Sequence, residues 1–174
     1  TTTTAPTSTT STTRPTTSTT APPQDLEFAF DLAGESFIGA ANGTTQLAGG
    51  IEARFDLATG RHDSTLTLNP TTGNFAILGF LPVTAHIEFV QTGPTTGTLV
   101  DGRLTSRSTM HVKLTNVLMG GFLPIGGGPS CQTTTPATID LATPQGELFD
   151  PLSGGRLTGT YTLSTEGIRT NTGV

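Results

Sequence analysis

The chain has no tryptophan, one tyrosine (Tyr161) and one cysteine (Cys131). A lone cysteine excludes an internal disulfide framework and a cysteine-based zinc site. Charged residues make up 12% of the chain, against about 25% in an average soluble domain. Eight basic residues against thirteen acidic ones argue against a grip on a nucleic-acid backbone, which needs an excess of Lys and Arg. No apolar run approaches the ~18 residues of a membrane-spanning helix. The missing indoles weaken any sugar-binding face built on stacked rings. No window carries an amphipathic helical stripe with caps.

Threonine is abundant: 39 of the 174 residues, 13 of them in the first 24. Residues 1–24 hold only Thr, Ser, Pro and Ala besides Arg14 and Gln24. Such a segment cannot bury enough apolar surface to offset its ordering entropy, so it reads as a disordered Thr/Pro-rich tail. Its composition suits an O-glycosylated stalk or a plain linker on an exported protein. Residues 25–164 are long enough for one domain with its own core. Residues 165–174 form a polar C-terminal tail. The chain begins without a signal-peptide pattern, which reads as a removed leader or a piece of a longer protein.

The folded region alternates with a period of two. Ile51, Ala53, Phe55 and Leu57 interleave with Glu52, Arg54 and Asp56; Ala85, Ile87 and Phe89 with His86 and Glu88; Met110, Val112 and Leu114 with His111 and Lys113; Ala137, Ile139 and Leu141 with Thr138 and Asp140. Leu157 to Leu163 alternates in the same way with threonines. Turn signals separate the runs: Asn42-Gly43, Thr59-Gly60, Thr72-Gly73, Thr92-Gly93-Pro94, Asp101-Gly102 and Gly154-Gly155. The expected fold is all-β, an antiparallel barrel or a two-layer sandwich. Periodicity does not separate the two.

One internal echo stands out. Asn74 to Val83 (NFAILGFLPV) matches Asn116 to Ile125 (NVLMGGFLPI) at five of ten positions. Proline cannot donate within a central ladder, so each copy should mark an edge, a bulge or a strand end. The packing expectation is that Phe80, Leu81, Phe122 and Leu123 fold back and plug the ends of the core. The functional alternative leaves them as apolar tips that rim a ligand mouth or touch a membrane or partner.

Other chemistry is sparse. His86, Glu88 and His111 lie on the polar sides of strands and could hold a metal if those strands were neighbours. No catalytic nucleophile motif is present. Cys131 follows Gly126-Gly127-Gly128 in a loop that could expose it, yet no Lys, Arg or His falls in residues 114–155 to lower its pKa. In an oxidising compartment an odd cysteine suggests a disulfide to a cysteine outside this chain. No cofactor is implied.

Phe55 to Gly60 (FDLATG), Pro82 to Phe89 (PVTAHIEF), Ile125 to Gly128 ahead of Cys131, Phe149 to Leu152 (FDPL) and Gly155 to Ser164 (GRLTGTYTLS) together resemble secreted or wall-associated β-domains of actinobacteria. The resemblance spans residues 50–164 and carries no activity. It implies a secreted or cell-wall-associated location, and a pairing of the cysteine at the position of Cys131 with one shortly after the last strand. The leading expectation is thus a non-catalytic, surface-presented module with a structural or adhesive role. Its partner would be a wall component, another surface protein or an amphipathic small molecule. A second expectation is a carrier barrel whose interior is lined by Ile77, Ile87, Phe89, Val112 and Leu114. An extracellular hydrolase, needing His86, Glu88 and His111 together or a carboxylate pair in a cleft, is the third.

Overall fold

The computed structural model describes residues 25–39, 42–162 and 168–169. The stalk or linker in residues 1–24 and most of the polar tail in residues 165–174 lie outside them.

The described chain is all-β. Its strands are β1 (Asp25–Ile38), β2 (Gly43–Asp56), β3 (Arg61–Leu68), β4 (Thr71–Ile77), β5 (Leu81–Gln91), β6 (Thr95–Val100), β7 (Arg103–Met119), β8 (Leu123–Gly126), β9 (Gln132–Thr133), β10 (Ala137–Ala142), β11 (Thr158–Thr162) and β12 (Ile168–Arg169). Every pairing is antiparallel.

Register reduces these strands to a simpler path. β3 and β4 both pair with β2, through Gly49↔Leu68 and Thr44↔Asn74, so they are two halves of one bent strand. β5 and β6 lie end to end along one edge of β7, through Gln91↔Met110 and Thr96↔Arg107. β8, β9 and β10 follow one another along its other edge. The fold is therefore an up-and-down meander of long strands, with the β1–β2, β4–β5 and β7–β8 connections at one end and the β2–β3, β6–β7 and β10–β11 connections at the other. The sheet is folded over as two layers. Among the described residues β1 and β11 are not joined by backbone hydrogen bonds, so the sheet does not close into a hydrogen-bonded barrel. Side chains span the gap instead. The Ser36 and Tyr161 hydroxyls meet there, and Phe30 packs edge-on against Phe149 at 5.7 Å between ring centres.

Cross-strand partners share a face, so one row runs Phe28, Ala53, Ser64, Thr95, Ser108, Ile139 across six strands. Ala53, Phe55, Leu104 and Phe149 form the core here, flanked by Phe28, Phe30, Ile51, Leu99 and Leu157. Small residues let the layers curl tightly. A Cβ on Gly97 would sit 1.8 Å from the Thr105 carbonyl oxygen, so no larger residue fits. The opposite face is the wet one, with Thr96, Thr98, Thr105, Thr138 and Thr160 around the Arg107–Asp140 ion pair. Two turns, in the β2–β3 and β10–β11 connections, repeat one device. Asp56 accepts from the Ala58 N–H and the Thr59 hydroxyl. Asp150 accepts from the Leu152 N–H and the Ser153 hydroxyl in the same way.

Two turn signals behave differently from the sequence expectation. Thr72-Gly73 lies inside β4, where Gly73 is bare because the Phe75 ring covers it. Thr92-Gly93-Pro94 bends a continuing strand rather than reversing it. Gln91 repairs the ladder at this bend: its Oε1 accepts from the Leu66 N–H at 2.8 Å, and its Nε2 donates to Thr95 Oγ1 at 3.2 Å. Leu57, expected on the core face with Phe55, is exposed in the β2–β3 turn.

Candidate functional site: an apolar end

The sequence echo becomes two equivalent hairpins. β4 and β5 pair through Ile77↔Leu81, with the Phe80 N–H donating to the Ile77 carbonyl at 3.3 Å. β7 and β8 pair through Met119↔Leu123, with the Phe122 N–H donating to the Met119 carbonyl at 3.3 Å. Both turns place two residues in the left-handed region: Leu78 and Gly79 in the first, Gly120 and Gly121 in the second. The hairpins are neighbours. β5 pairs with β7 through Val83↔Met119, and the Gly120 N–H donates to the Pro82 carbonyl at 3.0 Å. Pro82 and Pro124 each stand second in their strand, which agrees with the expected strand-end position of each copy.

The packing expectation fails for the two phenylalanines. Phe80 is 76% exposed and Phe122 82% exposed, so they do not plug the core. The reason is local. A turn with both central residues left-handed reverses the chain directly after Ile77 and Met119, and the phenylalanine that leaves each turn points outward. Leu81 is half-buried and Leu123 exposed. The structure adds Ile77, Leu78 (82% exposed) and Ile125 to the same end. Phe37, also exposed, stands beside the β1–β2 connection. That connection is at this end too, because Thr44 near the start of β2 pairs with Asn74 near the end of β4.

Leu78 is the informative residue. Among the described residues the non-glycine residues with positive φ are Asn42, Leu78 and Asp101. Asn and Asp tolerate that region; Leu does not, at a cost of about 1–2 kcal/mol. The equivalent position in the second hairpin is Gly120, which pays nothing. A strained backbone that keeps an exposed leucine points to use of that side chain rather than to packing.

Charge is distributed unequally. No Asp, Glu, Lys, Arg or His occurs in residues 64–85 or 114–139, which supply both hairpins. The opposite end also exposes Leu57, Val100, Leu148 and Leu152, but there Asp56, Arg61, Asp101, Arg103, Asp150 and Arg156 intervene.

The other candidates are dispersed. His86 and His111 lie on adjacent strands, but His111 sits opposite Val90, and His86 sits opposite Asn116. Glu88 is held by Lys113 Nζ at 3.2 Å. His86 Nδ1 contacts the Thr72 hydroxyl, and His111 Nδ1 contacts the Thr133 carbonyl oxygen. Among the described residues no three His, Cys, Asp or Glu side chains are grouped to hold a metal ion. Cys131 is buried rather than exposed by its loop, because the Gly126–Gly128 run wraps back onto β7 and the Leu114 N–H donates to the Cys131 carbonyl. The chain contains no second cysteine.

Of the residues expected to line a carrier cavity, Ile87 is buried in the sheet, Phe89, Val112 and Leu114 are half-buried, and Ile77 lies at the exposed tip. A concavity of about 600 Å³ occurs elsewhere, lined by Thr96, Arg107, Asp140 and Thr160 among others. It lies on the sheet surface beside the exposed Arg107–Asp140 pair. Hydrogen bonds from the Arg107 guanidinium hold the Asp140 carboxyl below its usual 3.8, and Arg107 is raised in return.

No protein-family model, no curated protein and no solved structure matches this chain.

Proposed function

We propose that this protein is a non-catalytic, exported β-module, held at or near a cell surface by its Thr/Ser/Pro-rich first 24 residues, and that it attaches through the apolar end of the sheet. One observation carries the reading. Two equivalent, adjacent hairpins expose Leu78, Phe80 and Phe122 together, on a stretch without charge. Exposed apolar side chains scattered singly are ordinary; a contiguous group at the tip of a rigid sheet marks a contact site. The dispersal of His86, Glu88 and His111 gives a hydrolase no support of comparable strength.

The test is sedimentation of the full chain with envelope fractions of the producing cell, walls and membranes separately. The reading expects retention by at least one fraction and loss of retention in the double variant Phe80→Ser, Phe122→Ser. Equal retention of the variant, or none of the wild type, overturns it.

A further inference from the structure

We infer that the apolar end enters the interface of an uncharged or zwitterionic lipid bilayer, with Leu78, Phe80 and Phe122 as the inserted side chains. The inference rests on the attachment reading above and names its partner.

Three observations converge on lipid. First, the site is convex. It consists of hairpin tips, not a groove, and lipid needs no shape match. Second, the tips are stripped of groups that resist transfer from water. They carry no charge, and Pro82 and Pro124 remove a backbone donor at equivalent positions beside each turn. The Phe80 and Phe122 N–H groups are already paired within their turns. Third, the two tips form one rigid wedge, because the β5–β7 ladder runs to Val83↔Met119 at their base. No Lys or Arg lies in residues 64–85 or 114–139, so the tips themselves offer no electrostatic anchor to anionic lipid. Binding should then depend on apolar transfer alone, with the tips reaching the headgroup–acyl boundary.

The chain has no tryptophan, so an introduced one reports without background. Phe122→Trp is placed at the tip and Leu152→Trp, also exposed, at the opposite end. With phosphatidylcholine vesicles the emission of the Phe122→Trp protein shifts to the blue and that of the Leu152→Trp protein does not. Full-chain flotation is expected to be equal on phosphatidylcholine and on vesicles containing phosphatidylglycerol, and insensitive to salt. Phe80→Ser, Phe122→Ser, folded by circular dichroism, loses at least about tenfold in partitioning. Four results overturn the inference: no partitioning of the wild type, binding only to anionic vesicles and abolished by salt, a blue shift at both positions, or a dimer dissolved by the double variant in place of vesicle binding. Retention on lipid-free walls without vesicle binding would remove the lipid inference and leave the attachment reading standing.

Discussion

Leu78→Gly should make the protein more stable and a poorer binder. Leu78 has φ of 54° and is 82% exposed, so it has almost no packing to lose. Relief of the left-handed penalty contributes about 1–2 kcal/mol. The larger conformational freedom of glycine in the unfolded chain takes back about 0.5–1 kcal/mol. The net gain is about 0.5–1 kcal/mol, which raises the melting temperature by about 2–4 °C in a domain of this size. Urea denaturation of wild type and variant, with equal slopes, measures it directly. Leu78→Asn, which tolerates the same φ, should recover part of the gain. Vesicle partitioning by Leu78→Gly should fall. If the variant is less stable than wild type, Leu78 contributes packing after all, and the argument that its strain serves contact collapses.

Two further expectations concern the sheet itself. Gln91→Met, similar in volume but without hydrogen bonds, leaves the Leu66 N–H unpaired at the bend and should cost about 1–3 kcal/mol in urea unfolding; wild-type stability would show that the bend does not need it. Hydrogen bonds to Asp56 from Thr59 and Ala58, to Asp140 from Arg107, and to Asp150 from Leu152 and Ser153 hold these carboxyls below 3.8. Their contribution is therefore complete above the unfolded value and is lost as pH falls through the folded values. Thermal unfolding should be flat above about pH 5 and decline below about pH 4, and the decline should be shallower in Asp56→Asn, Asp150→Asn. An equal decline in that variant would show that the two turn aspartates do not carry it.

Much of the fold was legible because alternation reports a half-buried strand. Ala53 and Phe55, Ala85 and Ile87, and Met110 all occupy the core side that the period of two assigns them. The threonines of Thr96, Thr98 and Thr105 clothe the wet face as their β-branched shape suits. Continuity was harder to read. Gly93-Pro94 is the composition of a turn, yet the chain bends and continues, because Gln91 supplies the pairing that the bend removes. Gly73 signals a turn by composition but is a packing glycine beneath Phe75. Closure was not legible at all, since the β1–β11 gap is spanned by side chains such as Phe30 and Phe149 from distant segments. At the apolar end the repeat located both hairpins, but apolarity alone suggested burial for Phe80 and Phe122. The signal that separates the outcomes is the pair of turn residues before each phenylalanine, Leu78-Gly79 and Gly120-Gly121, which reverse the chain and leave the phenylalanine pointing outward.

Phe80 and Phe122 meet water, and Phe55 and Phe149 do not. Hydroxyl-radical footprinting of the dilute full chain, read residue by residue, reports this directly. Phe80 and Phe122 should be modified readily, while Phe55 and Phe149 stay protected. Vesicles should then protect the first pair and leave the second unchanged. Protection of Phe80 and Phe122 in dilute protein without lipid would contradict the exposed apolar end on which the functional reading depends.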